Sequence, residues 1–478
     1  MDNQQSRRDA RRKMMLEDNV AKVIPLVAVP MIITMLIDSI YNISDTFFVS
    51  QLGTAATAAV GVNDSLLQLM RSVALGFGMG ASSYISRLLG AKRDEEACRV
   101  GSTTFFTSMV VLSVLAAIAF IFVEPLVTLM GATGSVKPYS VDYATWILLS
   151  APFTAGEVVL SQLLRSEGST RYSMMGMVSG CVLNMFLDPL LITRFGLGVA
   201  GAAIATSFSK MVSFFVLLYP FLRGKSMLEL KFKLFTPKKE IYWEIARMGI
   251  PTFLRSSVYS VSVIVTNNIA GGFGESALAA VSVANKCTRL VGSGIMGLGQ
   301  GFQPVAGYSW GAKKYKRVRQ AFLTCSLMGA GAAIVLGAIM AFSATDLISV
   351  FAEANDTQIV KLGSYMIITQ CITMVPHVWG MIANGLYQAL GRPIGATIIG
   401  LSRQVICLIP SVIVLSWIFG VYGLAASQAV ADIMTAMIAL PMVIKLFREI
   451  KRLEAEQTQA GEQQASLPTE FELESQQV

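Results

Sequence analysis

The chain has 478 residues, of which 54% are hydrophobic and only 14% are charged, and its formal net charge is +8 at pH 7. A soluble domain carries about 25% charged residues, so the composition excludes a soluble enzyme, a secreted disulfide scaffold and a disordered protein. The apolar residues instead form runs of roughly 20 residues or more, the length that a helix needs to cross a bilayer. The sequence therefore predicts an all-α integral membrane protein.

A charged segment, residues 1–22, precedes the first apolar run and predicts a cytoplasmic N-terminal tail. Twelve apolar runs follow, separated by charged residues or by glycine and proline. They are too long for the strands of a membrane barrel and do not alternate with a period of two, so they predict twelve transmembrane helices. The predicted spans are residues 23–50, 57–84, 98–123, 140–164, 173–192, 200–222, 245–271, 278–302, 322–345, 361–389, 395–419 and 423–446.

The predicted spans form two groups of six. Residues 23–222 hold the first group, the N-lobe, and residues 245–446 hold the second group, the C-lobe. A basic segment, residues 223–244, predicts a cytoplasmic linker between the lobes. Residues 447–478 are mostly rich in glutamine and glutamate, which predicts a disordered cytoplasmic tail.

Lysine and arginine are distributed unequally between the two ends of the predicted spans. Of the 38 basic residues, 29 lie in the N-terminal tail, the even-numbered loops and the C-terminal edge, whereas only Lys137, Arg194 and Lys361 lie on the opposite side. Cytoplasmic loops carry the excess of basic residues. Both termini are therefore predicted to be cytoplasmic, in a multi-pass protein of the inner (plasma) membrane, and the positive charge needs no nucleic acid to explain it.

The two halves of the chain match at one fixed offset. A shift of 221 residues, the separation of Pro30 and Pro251, also superposes the two Gly-Ala-Lys motifs at 90–92 and 311–313. Chance similarity between apolar helices would align leucine and alanine, but not these glycines and lysines. Each half has an even number of spans, so both enter the membrane from the same side. The sequence thus predicts two parallel six-helix repeats related by a pseudo-two-fold axis along the membrane normal.

The residue types that most enzymes need are scarce. The chain has one histidine, His377, and six cysteines without metal-ligand spacing. The GxGxxG pattern of residues 292–297 lies within an apolar span, where small residues favour close helix packing rather than dinucleotide binding. We therefore expect no enzymatic activity, no cofactor, no metal other than a coupling ion, and no obligate protein partner.

Charged residues inside the predicted spans are divided unequally between the lobes. The second half embeds bases, such as Arg255, Arg289 and Arg403, whereas five of the six embedded acids lie in the first half. The embedded acids are Asp38, Asp45, Asp64, Glu157, Asp188 and Asp432. A charge within a span is costly and indicates function by default. We therefore expect a cation site in the N-lobe.

Polar residues form a stripe along one face of three predicted N-lobe helices, which predicts a polar cavity. The alternative for the serines and threonines is a set of interhelical hydrogen bonds. The stripes are Thr34, Asp38, Tyr41 and Asp45; Ser150, Thr154, Glu157 and Ser161; and Cys181, Asn184 and Asp188. Asp45, Asn184 and Asp188 offer oxygen ligands for Na⁺. Two mutually repelling carboxylates suit a proton equally well, so H⁺ and Na⁺ both remain open.

Several motifs, in this order along the chain, resemble those of the multidrug and toxic compound extrusion (MATE) transporters. The likeness covers about residues 20–446, and its motifs are YNISDTFFVS, GASSYISRLLGAKR, LLRSEGSTR, NMFLDP, GVAGAAIAT, GYSWGAKK and YQALGRP. It is greatest to the bacterial branch whose cation site lies in the N-lobe. The resemblance implies an antiporter that exports lipophilic or cationic compounds in exchange for H⁺ or Na⁺ by alternating access. Its partners would be small-molecule drugs, toxic organic cations and the lipid bilayer.

The resemblance also implies the residues of the cation site. They are Asp45 of the YNxxD motif, Asn184 and Asp188 of the NxxxD motif and Thr206, with Tyr143 bordering the site. Lys210, one turn beyond Thr206, and the acids Asp38 and Glu157 depart from the family pattern.

Substrate binding is predicted from the polar stripes. Asp38 and Tyr41 of the first span, with Glu157 and Ser161 of the fourth, face the predicted cavity and would hold a cationic drug. The alternative function is that of a lipid-linked saccharide flippase of the same superfamily, since the embedded arginines could hold a pyrophosphate group. A purely structural or receptor role leaves the duplicated lobes and the acid bias unexplained.

Overall fold

The computed structural model describes residues 2–349 and 357–465, and it is helical through most of these ranges, without a strand. The helices of the first half are α1 (Asp2–Leu16), α2 (Val20–Ser50), α3 (Thr54–Gly90), α4 (Asp94–Ile121), α5 (Val123–Leu129), α6 (Val136–Leu149), α7 (Ala151–Ser166), α8 (Thr170–Pro189) and α9 (Gly198–Leu222). Those of the second half are α10 (Lys239–Gly272), α11 (Glu275–Gly311), α12 (Tyr315–Phe342), α13 (Ala344–Ser349), α14 (Thr357–Ile372), α15 (Met374–Ala389), α16 (Pro393–Leu401) and α17 (Ile409–Ala465). The predicted all-α fold is confirmed.

The twelve predicted spans correspond to these helices in chain order. Among the described residues, seven helical segments are long and apolar enough to cross a membrane, and two further spans are bent pairs, α6 with α7 (53°) and α14 with α15 (54°). The helices α3 and α11 lie at the second and eighth predicted spans, and each has 37 residues with glycines and polar residues along its length. The last long segment contains two spans, because Gly420 has a non-helical backbone (φ 58°, ψ −140°). Prolines near the bends, Pro152 and Pro376, cannot donate a ladder hydrogen bond.

The C-terminal region differs from the expectation. Helix α17 continues to Ala465, so the prediction of disorder is wrong for residues 447–465, and residues 466–478 lie outside the described residues. The segment is rich in glutamate, glutamine, alanine and arginine, which are strong helix formers. Arg392 forms an ion pair with Glu449, which fixes the start of this extension to the turn before α16.

Both lobes contact the N-terminal helix α1 at the end of the bundle where most basic residues lie, which we call the basic end. The Arg11 guanidinium donates to the fully buried Glu167 at 3.0 Å, and Glu167 also accepts from the linker N–H of Met227 at 2.6 Å. On the C-lobe side, Arg317 donates to the carbonyl oxygen of Met15 at 3.0 Å. The predicted tail is thus a helix packed against both lobes, because its basic face meets acids of the N-lobe.

Glycines allow the lobes to touch backbone to backbone at the basic end. A Cβ atom at Gly90 would clash with the carbonyl of Tyr308, and a Cβ atom at Gly311 would clash with the carbonyl of Arg87. The two contacts are related by the 221-residue offset, as a pseudo-two-fold axis requires. Arg87 also donates to Glu244, the last linker residue and part of α10, at 3.1 Å.

Toward the opposite end of the same helices, the glycines have open space around them. A Cβ atom added at Gly61 of α3 or at Gly292 of α11 would meet no atom within 4 Å. The turns at this end begin with Gly53 (φ 102°) and Gly274 (φ 110°), which are again related by 221 residues and adopt a backbone that favours glycine. The lobes therefore pack together at the basic end and leave a cleft toward the other end.

Gly311→Ala is expected to destabilise the fold by about 1–3 kcal/mol, because the added methyl group overpacks the contact between the lobes. Gly292→Ala in the same helix is the matched control. There the loss of glycine flexibility should leave stability unchanged or raise it by up to about 1 kcal/mol. The melting temperatures of the purified variants in detergent measure both effects, and equal shifts would contradict the described contact.

Candidate functional site

Two carboxyl groups meet inside the N-lobe, between α2 and the end of α8. The side chains of Asp45 and Asp188 are in direct contact, and Asp188 is fully buried. The Oδ1 atoms of both residues are buried and have no hydrogen-bond partner among the described residues. Two adjacent carboxylates repel each other unless they share a proton or bind a cation. This pair is therefore a candidate cation site, as the spacing of the polar stripes predicted.

Asn184 connects the carboxyl pair to helix α9. In the orientation that satisfies both of its polar atoms, the Asn184 amide nitrogen donates to Oδ2 of Asp188 at 2.8 Å, and its oxygen accepts from the backbone N–H of Thr206 at 3.1 Å. A π-helical turn, Leu190–Arg194, follows Pro189 directly. Because α8 presents Asn184 and Asp188 one turn apart, a single helix face supplies both groups.

Two tyrosines complete the surroundings of the carboxyl pair. Tyr41 of α2 and Tyr143 of α6 both lie beside the side chain of Thr206, and Tyr143 is 1% exposed. The structure thus brings together all five residues of the predicted cation site. Tyr41, predicted to bind substrate, lies within the same group.

Asp64 is a neighbour of the site that the sequence did not assign to it. It projects from α3 and interacts electrostatically with Asp45 and with Tyr143. The sequence identified Asp64 as an embedded acid, and its spacing of four and three residues to Gln68 and Arg71 was a signal that could have placed it on a polar face of α3. Only the packing of α3 beside α2 and α6 reveals its proximity.

The acids predicted to bind substrate already have basic partners. Asp38 lies 3.8 Å from Arg71 of α3, and Glu157 lies 3.1 Å from the ammonium group of Lys210 on α9. Ser161 accepts a hydrogen bond from Arg165 at 3.0 Å. Asp38 and Glu157 are therefore ion-paired in this structure, and neither is a free carboxylate facing the cavity.

The C-lobe contains one buried ion cluster. The Asp432 carboxylate accepts from Arg403 at 2.6 Å and lies 3.1 Å from Nδ1 of His377. Asp432 is 5% exposed. The described residues contain no group of three or more His, Cys, Asp or Glu side chains that could hold a metal ion.

Duplicated helical lobes around a cleft, with acids buried in one lobe, define a membrane transporter. The sequence model of the MatE family matches residues 30–190 and 251–418, one match in each lobe. The chain belongs to the MatE family, which confirms the resemblance found in its motifs.

Curated relatives of similar length share about a quarter to a third of their residues with this chain. The multidrug export protein MepA of Staphylococcus saprophyticus is 30% identical over 427 residues, which cover 88% of this chain and 93% of that protein. MepA of Staphylococcus aureus (strain MRSA252) is 27% identical over 424 residues, with the same coverage. A solved structure described as the outward-facing conformation of a multidrug resistance MATE family transporter has a TM-score of 0.88. It is 24% identical, covers 92% of this chain and 98% of its own, and supports the fold alone.

Asp432→Asn and Asp45→Asn are expected to affect stability in opposite ways. Asp432→Asn leaves Arg403 without its buried counterion, and breaking a buried pair costs roughly 3–5 kcal/mol. Asp45→Asn removes one of two repelling carboxylates, so the melting temperature should stay the same or rise. Thermal unfolding of both variants at one pH checks this contrast, and a larger loss for Asp45→Asn would refute it.

Proposed function

We propose that this protein is a secondary active multidrug efflux antiporter that exports lipophilic or cationic compounds in exchange for H⁺ or Na⁺. The observation that carries the proposal is the proximity of the Asp45 and Asp188 carboxyl groups inside the N-lobe, because two adjacent carboxylates favour binding of a proton or another cation. Curated relatives that match this chain over nearly their whole length are named multidrug export proteins. Membership of the MatE family supports the same function.

The coupling ion binds at the carboxyl pair. A proton shared between Asp45 and Asp188 removes their repulsion and leaves Asn184 free to donate to Asp188, as its satisfied orientation does. Na⁺ requires oxygen ligands. The Asn184 amide would then rotate by about 180°, a change that moves its oxygen toward Asp188. H⁺ therefore fits the described hydrogen bonds directly, whereas Na⁺ requires this rotation.

Transport proceeds by alternating access of the cleft between the lobes. The excess of basic residues assigns the basic end to the cytoplasm, which makes both termini cytoplasmic in the plasma membrane. The cleft then opens outward while the glycine contacts of Gly90 and Gly311 close the cytoplasmic end. Export requires these contacts to separate, and ion binding must favour one of the two states for the ion gradient to drive the change.

Substrate enters the same N-lobe region. Asp38, Tyr41, Glu157 and Ser161 are the proposed substrate-binding residues, but Asp38 and Glu157 have cationic partners in this state. A cationic drug would compete with those partners or approach Asp64 and Asp45 instead. Substrate and coupling ion therefore compete through charge, which is a physical basis for exchange.

Efflux from vesicles under separately imposed gradients tests the function. Purified protein in liposomes should export a cationic dye when either a proton or a sodium gradient is imposed. Asp45→Asn and Asp188→Asn should each lower the coupled rate by at least ~100-fold, because each removes one of the two groups that hold the ion.

Asp142→Asn is the matched control for this test. Asp142 is exposed on α6, next to Tyr143 in sequence but outside the carboxyl pair, so its loss should leave efflux unchanged. Retention of full gradient-driven efflux by both Asp45→Asn and Asp188→Asn would refute the proposed cation site. A wild-type protein that exports nothing under either gradient would refute the antiport proposal itself.

The flippase alternative has one observation in its favour. Arg255 donates to Asn384 at 3.4 Å and Arg289 donates to Tyr259 at 3.1 Å, and no carboxylate of the described residues forms an ion pair with either. Bases without counterions in the C-lobe suit an anionic lipid. This function predicts binding of an anionic lipid that Arg255→Gln weakens, together with an absence of dye efflux.

A further inference from the structure

The ion pair between Glu157 and Lys210 lies inside the N-lobe, where helices α7 and α9 face each other. The Lys210 ammonium is 3.1 Å from Oε2 and 3.3 Å from Oε1 of Glu157, so it interacts with both carboxylate oxygens. The Glu157 side chain is 4% exposed, whereas that of Lys210 is 22% exposed. A buried carboxylate is costly without a counterion, and Lys210 supplies one from within the chain.

This pair and the proposed cation site open onto the same cavity. The cavity is lined by Glu157 and Lys210 together with Asn184 and Thr206. It is also lined by Ser209, which is 3% exposed and whose hydroxyl has no hydrogen-bond partner among the described residues. Thr206 and Lys210 lie one turn apart on one face of α9. Asn184 and Thr206 of the proposed cation site therefore share this cavity with the ammonium group.

The position of Lys210 has an ion-paired counterpart of opposite charge in the C-lobe. At an offset of 222 residues Lys210 corresponds to Asp432, but Arg403, the partner of Asp432, corresponds to Cys181 and not to Glu157. The position is therefore charged and ion-paired in both lobes through different partners, while its positive sign is specific to the N-lobe. Of the two lobes, the one with the proposed cation site has the base at this position.

We propose that Glu157 is a second cation site of the N-lobe, and that Lys210 fills it with a tethered ammonium ion. The inference rests on the proposed cation site at Asp45 and Asp188, because it concerns the number of cations that the shared cavity accepts. With Lys210 in place, the coupling ion and the cationic substrate are directed to the carboxyl pair. The site at Glu157 takes monovalent cations of the ammonium type.

Lys210→Met should increase the affinity for a cationic dye. It removes one positive charge and exposes Glu157 as a second carboxylate, so a monovalent cationic rhodamine should bind ~10-fold more tightly to the purified protein in nanodiscs. The affinity for an uncharged dye of the same size should not change. Fluorescence polarisation at fixed pH and Na⁺ concentration measures both.

Two variants act as controls. Lys137→Met breaks a lysine–glutamate pair with Glu124 at 3.3 Å on an exposed surface, and it should leave dye affinity unchanged. The double variant Glu157→Gln with Lys210→Met should lose the gain in affinity, since it lacks the unpaired carboxylate of the single variant. An unchanged or weaker affinity of Lys210→Met for the cationic dye would overturn the proposal.

Chemical rescue provides a readout that does not depend on transport. Lys210→Ala leaves room for a small amine, so millimolar ethylammonium should raise its melting temperature and leave that of the wild type unchanged. The Glu157→Gln, Lys210→Ala double variant should show no such shift, because it lacks the carboxylate that binds the amine. Equal shifts in all three proteins, or none in Lys210→Ala, would overturn the proposal. A protein that shows the rescue but exports no dye would refute the proposed function alone.

Discussion

A carboxylate within the membrane-spanning part of a protein needs a compensating positive charge, and this constraint organises the interior of both lobes. Asp38 pairs with Arg71, Glu157 pairs with Lys210, and Asp432 pairs with Arg403. Asp45 and Asp188 instead have each other as neighbours, and Asp64 beside them forms no ion pair among the described residues either. Because no lysine or arginine pairs with these carboxyl groups, a proton or another ion from solution has to supply the positive charge.

The contact between the lobes determines which side of the membrane that cation reaches. At the basic end, backbone meets backbone at Gly90 and Gly311, and a side chain at either position would force the helices apart. The opposite ends of the same helices are free of such contacts. A closely packed interface does not deform continuously but changes between distinct packing arrangements. We therefore expect the lobes to rock between two discrete arrangements. Helix α1 contacts both lobes at the basic end and would have to release one of them when that end opens.

Much of the fold could be predicted from the sequence, because the signals involved are local or repetitive. Apolar runs locate the twelve spans, and the 221-residue offset identifies the repeat that also relates the contacts of Gly90 and Gly311. Helical spacing identified Asp45, Asn184 and Asp188 as candidates for the cation site, whereas Tyr143 and Thr206 came from the resemblance to the MATE family. The bend beside Pro152 and the helix beyond residue 446 were not predicted, because composition alone does not show where a helix breaks or continues.

The partners of the other acids could not be predicted in this way. Whether Asp38 meets Arg71, or Glu157 meets Lys210, depends on how separate helices are rotated against each other. Asp64 joins the site for the same reason, through the packing of α3. Spacing along one helix determines which residues share a face, whereas tertiary packing determines what that face meets.

The most direct test of the account is the mutual effect of coupling ion and substrate at equilibrium. The dissociation constant of a cationic dye would be measured against Na⁺ concentration and against pH, and ion binding would be measured with and without dye. If both compete through the N-lobe cavity, the ion weakens dye binding, and the dye weakens ion binding by the same factor, as linkage requires. We expect this factor to be at least ~5 in the wild-type protein, and to vanish in Asp45→Asn. A dye affinity that is independent of both Na⁺ and pH in the wild type would contradict the account.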